Sequence, residues 1–184
     1  MHQVLALDQG GRPCRWESLE KALYYLVKGL VSWSFGEEVP LRGGFSGKTG
    51  ERTIVAVPSI IALSHQAYDA KTVALNNAAL FRRDRMRCCY CGGQFSRGEL
   101  SREHILPVSR GGADVWTNCA TACKACNNKK GDRLLEECGM QLLYVPYAPS
   151  PVESLILDGR NIKADQMEFL VRCLPAESQL RPAA

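Results

Sequence analysis

Four cysteines form two Cys-x-x-Cys pairs, which are Cys88 with Cys91 and Cys123 with Cys126. Two thiolates separated by two residues can bind one Zn²⁺, and two such pairs complete a tetrahedral site. Two glycines follow the first pair and allow the tight turn of a zinc knuckle. Because four thiolates leave no coordination position for water or substrate, the spacing predicts a structural zinc ion.

Two alternatives stand beside this zinc site. In the first, the four cysteines are buried without a bound metal ion. Two Cys-x-x-Cys pairs in a reducing compartment make this alternative less favourable. Cys89 would replace Cys88 as a ligand, although only Cys88 gives the two-residue spacing. The remaining cysteines lack ligand spacing and are expected to act as small buried apolar residues: Cys14, Cys119, Cys138 and Cys173.

Polar residues suited to phosphodiester chemistry lie between or beside the cysteine pairs. Hydrolysis of a phosphodiester needs an activated water and a cation that neutralises developing charge. Neutral imidazole accepts a proton near neutral pH, so His104 is the natural general base. The oxygens of Glu103 and Asn127 are hard ligands that suit Mg²⁺ or Mn²⁺. Adjacent side chains of a regular strand point to opposite faces, so a bulge or a strand end is expected at Glu103-His104.

The segment 83–133 resembles the HNH endonuclease family and its ββα-metal (His-Me finger) fold. The matching features are an acidic-His pair before Ile-x-Pro, a Ser-Arg-Gly-Gly turn, a central asparagine and Cys-x-x-Cys-Asn-x-x-Lys. Arg83-Asp84 and the Cys-x-Tyr-Cys-Gly knuckle match the zinc-bearing branch. The start of the chain also looks like the N-terminal region of longer bacterial and phage members.

The resemblance implies roles for individual residues and a type of product. Glu103 and Asn127 would hold the divalent ion, and His104 would activate water. Asn118 would brace the loop and orient His104. The family often has aspartate at the position of Glu103 and histidine at that of Asn127; Asn128 is the alternative to Asn127, but the Cys-Asn-x-x-Lys register favours Asn127. The products would carry 5′-phosphate and 3′-hydroxyl ends.

Positive charge is concentrated in the cysteine-rich segment. Residues 81–140 carry eleven lysines and arginines against seven acidic residues, whereas the rest of the chain carries twelve of each. This excess is expected if the segment meets phosphate, and the resemblance implies DNA as the partner. Five cations are candidate phosphate contacts, although each alone is more often a solvated surface charge: Arg110, Lys124, Lys129, Lys130 and Arg133. A homodimer is one way in which a single-centre enzyme would cut both strands.

Three regions of an α+β protein are predicted within the 184 residues. Residues 1–80 form an N-terminal α/β region linked to substrate choice or assembly. Residues 81–140 form the nuclease core, which the zinc site holds together. Residues 141–184 form a C-terminal extension with a helix. No apolar run reaches transmembrane length and no signal pattern opens the chain, so the cytoplasm is expected, which would be that of the bacterial host for a phage protein. Nine cysteines, an odd number, argue against a fully paired disulfide framework.

Periodicity predicts the elements around the core. Apolar residues from Trp16 to Leu30 recur every three or four positions, which indicates a helix that ends near Gly29. Strands are predicted at 4–7, 31–35 and 53–57, with Pro58 stopping the last, and further helices within 73–87 and at 164–174. The segment 43–49 ends like a phosphate-binding loop, but Arg42 stands where that motif requires glycine, so a turn between strands is predicted.

Two rival classes follow from the same residues. A non-catalytic zinc-finger module that binds nucleic acid would keep the cysteines and the basic residues. It would not need Glu103, His104 and Asn127 in register. A scaffold protein with a degenerate nuclease core is the second rival. The other histidines, His2 and His65, are interpreted as ordinary surface or core residues.

Overall fold

The computed structural model describes residues 2–64 and 73–182, so His65 lies outside the described residues. Contacts divide the chain into two compact units, one of Met1–Lys71 with Pro151–Ala184 and one of Thr72–Ser150. Helices and strands occur in both, which confirms a mixed α+β protein. The three-region division stays a prediction. Within the described ranges, no helix is both long enough and apolar enough to cross a membrane.

A four-stranded sheet forms the centre of the first unit. Its strands are β1 (Gln3–Leu7), β2 (Pro13–Ser18), β3 (Val31–Phe45) and β4 (Arg52–Leu63). In the order β2-β1-β4-β3, β1 pairs parallel with β4, and the two outer pairings are antiparallel. Strand β1 is buried on both faces, as its nearly continuous apolar sequence requires.

Helices cover both faces of this sheet. Helix α1 (Leu19–Val27) packs on the face that carries Val4 and Ala6, where Ala22 completes the core. The opposite face carries Leu5 and Leu7 and packs against the C-terminal helices. These helices are α5 (Pro151–Asp158) and α6 (Ala164–Arg172).

The structure corrects two expectations in this unit and adds a helix that periodicity did not indicate. Trp16 belongs to β2, and α1 begins only after Ser18, whose Oγ caps it by accepting the N–H of Lys21 at 3.2 Å. Strand β4 continues through Pro58, which pairs with Glu38 at a register irregularity of β3, where a proline is tolerated. Helix α5 starts at Pro151. Proline is tolerated there because an N–H group in the first turn of a helix has no acceptor within the helix.

The segment between β3 and β4 is the turn of a hairpin, as predicted for residues 43–49. The N–H of Ser46 donates to the carbonyl of Glu51 at 2.8 Å, and that of Gly50 donates to Ser46 at 2.9 Å. No helix follows the glycines directly, so this segment lacks the architecture of a phosphate-binding loop.

The second unit holds a short hairpin with helices around it. Its elements are α2 (Asn77–Arg83), β5 (Leu100–His104), β6 (Cys119–Cys123), α3 (Lys124–Lys130) and α4 (Leu135–Cys138). Strands β5 and β6 pair antiparallel in regular register, with His104 opposite Cys119. Helix α3 begins on the residue after β6. His104 is the last residue of β5, which confirms the expected strand end.

A buried arginine anchors the hairpin to α2. The Arg83 side chain has no exposed surface and makes a two-point ion pair with Asp84, at 2.7 and 3.1 Å. Its remaining N–H groups donate to three carbonyls at 2.7–2.9 Å, those of Trp116, Cys119 and Tyr147. Asp84 accepts the N–H of Thr121 in β6 at 2.8 Å. A buried guanidinium is stable here because its hydrogen bonds are satisfied.

Candidate active site and zinc site

The four paired cysteines converge on one point. The sulfur atoms of Cys88, Cys91, Cys123 and Cys126 all lie within 4.8 Å of one another. That spacing suits a tetrahedral ion with Zn–S bonds of about 2.3 Å. The four cysteines therefore form a group that could hold a structural metal such as zinc, as the spacing predicts.

Backbone N–H groups favour the thiolate form of Cys88, whereas burial, and after it the neighbouring thiols, raise the pKa of Cys126. The N–H of Tyr90 points to Cys88 Sγ at 3.5 Å, and that of Cys126 points to Cys123 Sγ at 3.4 Å. Burial alone would raise the pKa of the Cys88 thiol, but the backbone hydrogen-bond donors outweigh this effect and lower that pKa to about 7. Cys89 differs, because burial raises the pKa of its thiol and it lies outside the group of four. Position therefore favours Cys88 over Cys89 as the ligand, and the lowered pKa of Cys88 agrees with it, since the thiolate is the form that binds zinc.

The two faces of β5 carry different groups. Leu100, Arg102 and His104 alternate with Ser101 and Glu103 along the strand. Leu100 packs in the cluster formed with α2. Ser101 and Glu103 contact side chains of α3. The pairing stays regular through His104, so Glu103 and His104 lie on opposite faces of β5, and the strand end does not bring both toward one metal ion.

Glu103 lies in the interior beside a lysine. Lys130 Nζ is 2.7 Å from Glu103 Oε1, and the two side chains are only 1% and 2% exposed. Lys130 also donates to the carbonyl oxygen of His104 at 2.9 Å. The Tyr90 hydroxyl is buried close by; its burial and then the Glu103 charge raise its pKa. Lys130, predicted as a phosphate contact, is thus an interior residue whose ammonium neutralises a carboxylate.

Asn127 lies on the same side of β5 as Glu103. Its Nδ2 donates to Ser101 Oγ at 2.8 Å and to the carbonyl of Arg102 at 3.3 Å. It stands one residue after Cys126 and three before Lys130, in the middle of α3. Helix α3, which starts directly after Cys123, therefore brings Asn127 to the strand that carries Glu103.

His104 contacts an aspartate that spacing alone did not indicate. Its Nε2 lies 2.9 Å from Asp114 Oδ1. Arg102 Nη1 donates to both carboxylate oxygens of Asp114, at 2.7 and 2.6 Å, and Cys119 Sγ donates at 3.3 Å. The Arg102 contact and then that of His104 lower the pKa of Asp114 to about 2. An ionised carboxylate only accepts hydrogen bonds, so His104 Nε2 carries the hydrogen.

The ligand-type atoms of His104, Asp114 and Cys119 lie within 4.8 Å of one another, a spacing compatible with a metal ion. The guanidinium of Arg102 already balances the Asp114 charge in this cluster. Burial, followed by the Asp114 contact, raises the pKa of Cys119 to about 11, so this thiol is protonated at neutral pH. We therefore interpret the cluster as a hydrogen-bonded network.

Asn118 makes the contacts of a loop brace. Its Oδ1 accepts the N–H of Leu106 at 2.9 Å, and its Nδ2 donates to the carbonyls of Leu106 and Ala113 at 3.0 and 2.9 Å. Gly112 lies inside this loop, where an added Cβ would fall 1.8 Å from the Leu106 oxygen. The Gly-Gly turn therefore permits the close approach that the brace requires.

The other predicted phosphate contacts differ in their surroundings. Lys124 and Lys129 are exposed on α3. Arg110 forms an ion pair with Glu137 at 2.8 Å. Arg133 donates to the carbonyl oxygens of Lys129 and Lys130 at the end of α3. Arg110 and Arg133 are exposed as well, but both already contact groups of the same segment.

Residues 88–143 match the family model described as HNH endonuclease. The match confirms the resemblance, and its range includes all four paired cysteines, both strands of the hairpin and helix α3. No curated protein matches the chain. The chain therefore contains an HNH-type segment, which indicates a nuclease in general terms.

Proposed function

We propose that this protein is a metal-dependent endonuclease that hydrolyses DNA phosphodiester bonds. One observation carries the proposal: within the segment that matches the family, His104 ends a strand, is 23% exposed, and is hydrogen-bonded through Nε2 to Asp114. A histidine held through one nitrogen and accessible at its edge is suited to act as a general base.

In the proposed mechanism, His104 accepts a proton from a water molecule. Since Nε2 carries the hydrogen bonded to Asp114, the acceptor is Nδ1. The activated water attacks phosphorus, the bond to the 3′ oxygen breaks, and that oxygen takes a proton from solvent water, which leaves 5′-phosphate and 3′-hydroxyl ends. Asn118 keeps the loop after His104 in place through its contacts with Leu106 and Ala113.

Glu103 and Asn127 are the residues proposed to hold Mg²⁺ or Mn²⁺. Glu103 Oε1 is buried 2.7 Å from the Lys130 ammonium, and the Tyr90 hydroxyl lies close by. Such an oxygen suits a hard cation, and the amide oxygen of Asn127 is the second donor. Because regular pairing puts Glu103 and His104 on opposite faces of β5, the ion would neutralise charge that develops on the phosphate only after the Glu103 carboxylate leaves Lys130 and turns toward His104. Because Lys130 already balances Glu103, metal binding there exchanges one cation for another.

The paired cysteines are proposed to hold a structural zinc ion. Zinc would fix the knuckle to the start of α3, because Cys123 caps that helix and Cys126 lies in its first turn. Asn127 follows Cys126 directly, and Lys130 lies one turn further. Folding around zinc would thus position the α3 residues that face Glu103.

DNA is the proposed partner. The exposed Lys124 and Lys129 are the primary candidates for phosphate contacts, with Arg110 and Arg133 as further cations of the same segment. Such contacts position a duplex without reading its sequence. A dimer would allow cleavage of both strands.

A non-catalytic nucleic-acid-binding module is the alternative. The pairing of Glu103 with Lys130 favours it, since this carboxylate is charge-balanced without a metal ion. The two functions differ in whether the backbone is cut. We would incubate supercoiled plasmid with the zinc-loaded protein and Mg²⁺ or Mn²⁺, and measure binding by gel shift in the same buffers. The proposal expects nicked circles with 5′-phosphate ends; binding without cleavage in every divalent metal would establish the alternative.

A further inference from the structure

We propose that Asp114 is a positioning residue for His104, which holds the imidazole in the tautomer with hydrogen on Nε2 and directs Nδ1 toward the reacting water. This role rests on the proposed function, since it concerns the base of that reaction. Asp114 lies ten residues after His104 in the chain. The fold of the intervening loop brings its carboxylate to 2.9 Å from the ring.

The contact selects one tautomer. Asp114 receives hydrogen bonds from Arg102, His104 and Cys119, and it offers no hydrogen in return. Neutral His104 must therefore donate from Nε2, which leaves Nδ1 with a lone pair. A carboxylate next to a general base in other enzymes acts in this way, by fixing orientation and stabilising the imidazolium that forms.

The carboxylate is itself held in place. Arg102 Nη1 contacts both of its oxygens, at 2.7 and 2.6 Å. Arg102 Nε donates to Asn77 Oδ1, at the first residue of α2, at 2.9 Å. A chain of contacts thus runs from α2 through Arg102 and Asp114 to His104. Arg102 and His104 lie two residues apart on one face of β5, so strand geometry aligns both with Asp114.

Contacts other than those of the Asp114 side chain also hold this loop. Asn118 braces it through Leu106 and Ala113, and Gly112 donates its N–H to the carbonyl of Pro107 at 3.0 Å. The Asp114 side chain is 53% exposed, which is unusual for a residue that supports a core. Its three hydrogen-bonding contacts point to the His104 side of the hairpin.

Kinetics on the zinc-loaded protein test this role. Asp114→Ala is expected to lower kcat about 10–100-fold with little change in KM, less than the loss of about 10²–10⁴-fold expected when a general base is removed. Asp114→Glu should restore a large part of the rate. Glu136→Gln, which removes an exposed carboxylate of α4, is the matched control. In the His104→Ala background, Asp114→Ala should cause no further loss, because both act through one group.

An NMR measurement tests the inference without relying on activity. The chain has three histidines, so long-range ¹H–¹⁵N spectra can assign the His104 ring. The neutral ring is expected as the Nε2–H tautomer in wild type and as a mixture in Asp114→Ala. An unchanged tautomer in Asp114→Ala, or a further rate loss in the His104→Ala background, would overturn the inference. If wild type cuts no DNA, the proposed function fails, while the tautomer result still decides the role of Asp114.

Discussion

Glu103 and Lys130 form an ion pair of 2.7 Å that joins β5 to α3 in the interior of the second unit. Lys130 also donates to the carbonyl of His104, so one side chain contacts both residues of the acidic-His pair. The same helix carries Cys126 and Asn127. The group of four cysteines and the strand end at His104 are therefore linked through α3.

Lys130→Met should destabilise the protein by about 3–5 kcal/mol, because it leaves the buried Glu103 carboxylate without a counter-charge. Lys129→Met is the control; it changes an exposed neighbour and should shift stability by less than about 0.5 kcal/mol. Urea unfolding of the zinc-loaded protein measures both. Glu103→Gln combined with Lys130→Met should recover part of the stability, since no charge is then buried unpaired.

The same variants test Glu103 as a metal ligand. If Mn²⁺ takes the place of the Lys130 ammonium, Mn²⁺ should raise the Tm of Lys130→Met more than that of wild type, because the ion binds only the folded state. The effect should disappear in the double variant that lacks the Glu103 charge. Equal Mn²⁺ responses in all three proteins would argue against Glu103 as a ligand.

Zinc should be present at one ion per chain in protein purified without a chelator. Cys126→Ser is expected to lower the zinc content and to loosen the second unit, since it removes one of the four thiolates. Cys138→Ser lies outside the group of four and should keep its zinc. Metal analysis by mass spectrometry measures the content, and proteolysis reports the loosening. A zinc content far below one per wild-type chain would contradict the assignment.

The α3 lysines should contribute to DNA binding through counterion release. Changing Lys124 and Lys129 together to glutamine should reduce the slope of log affinity against log salt by about 1.8, at about 0.9 for each phosphate that is no longer neutralised. The double change should weaken binding to different DNA sequences alike. Lys28→Gln alters an exposed lysine of the other unit and is the control. Fluorescence anisotropy over a salt series gives the slopes, and an unchanged slope would exclude these lysines.

Spacing within a short segment predicted much of the candidate site. Pairs of cysteines two residues apart have few ways to coordinate a metal, and their four sulfur atoms do converge. The alternation of side chains along a strand also predicted a bulge or a strand end at Glu103-His104, and β5 does end at His104, although its pairing stays regular and keeps the two side chains on opposite faces. These are local relationships, which the covalent geometry of the chain largely determines.

The remaining features depend on how distant segments pack. The contact between Asp114 and His104 requires the loop shape that Asn118 and Gly112 define, and neither spacing nor charge indicates it. A lysine such as Lys130 is expected at the surface, yet pairing with Glu103 makes its burial favourable. Trp16 fits a helical period, but β2 extends to Ser18 because it pairs with β1. Tertiary pairing overrides local preference at these positions.

The initial rate of plasmid nicking in Mn²⁺ is the most direct test of the central claim, that His104 is the general base of a nuclease. Wild type, His104→Ala and the control His2→Ala would be compared at equal zinc content and with DNA binding measured in parallel. The account predicts that His2→Ala nicks at the wild-type rate, while His104→Ala binds DNA but nicks at least about 10²-fold more slowly. Nicking by His104→Ala at the wild-type rate would contradict it.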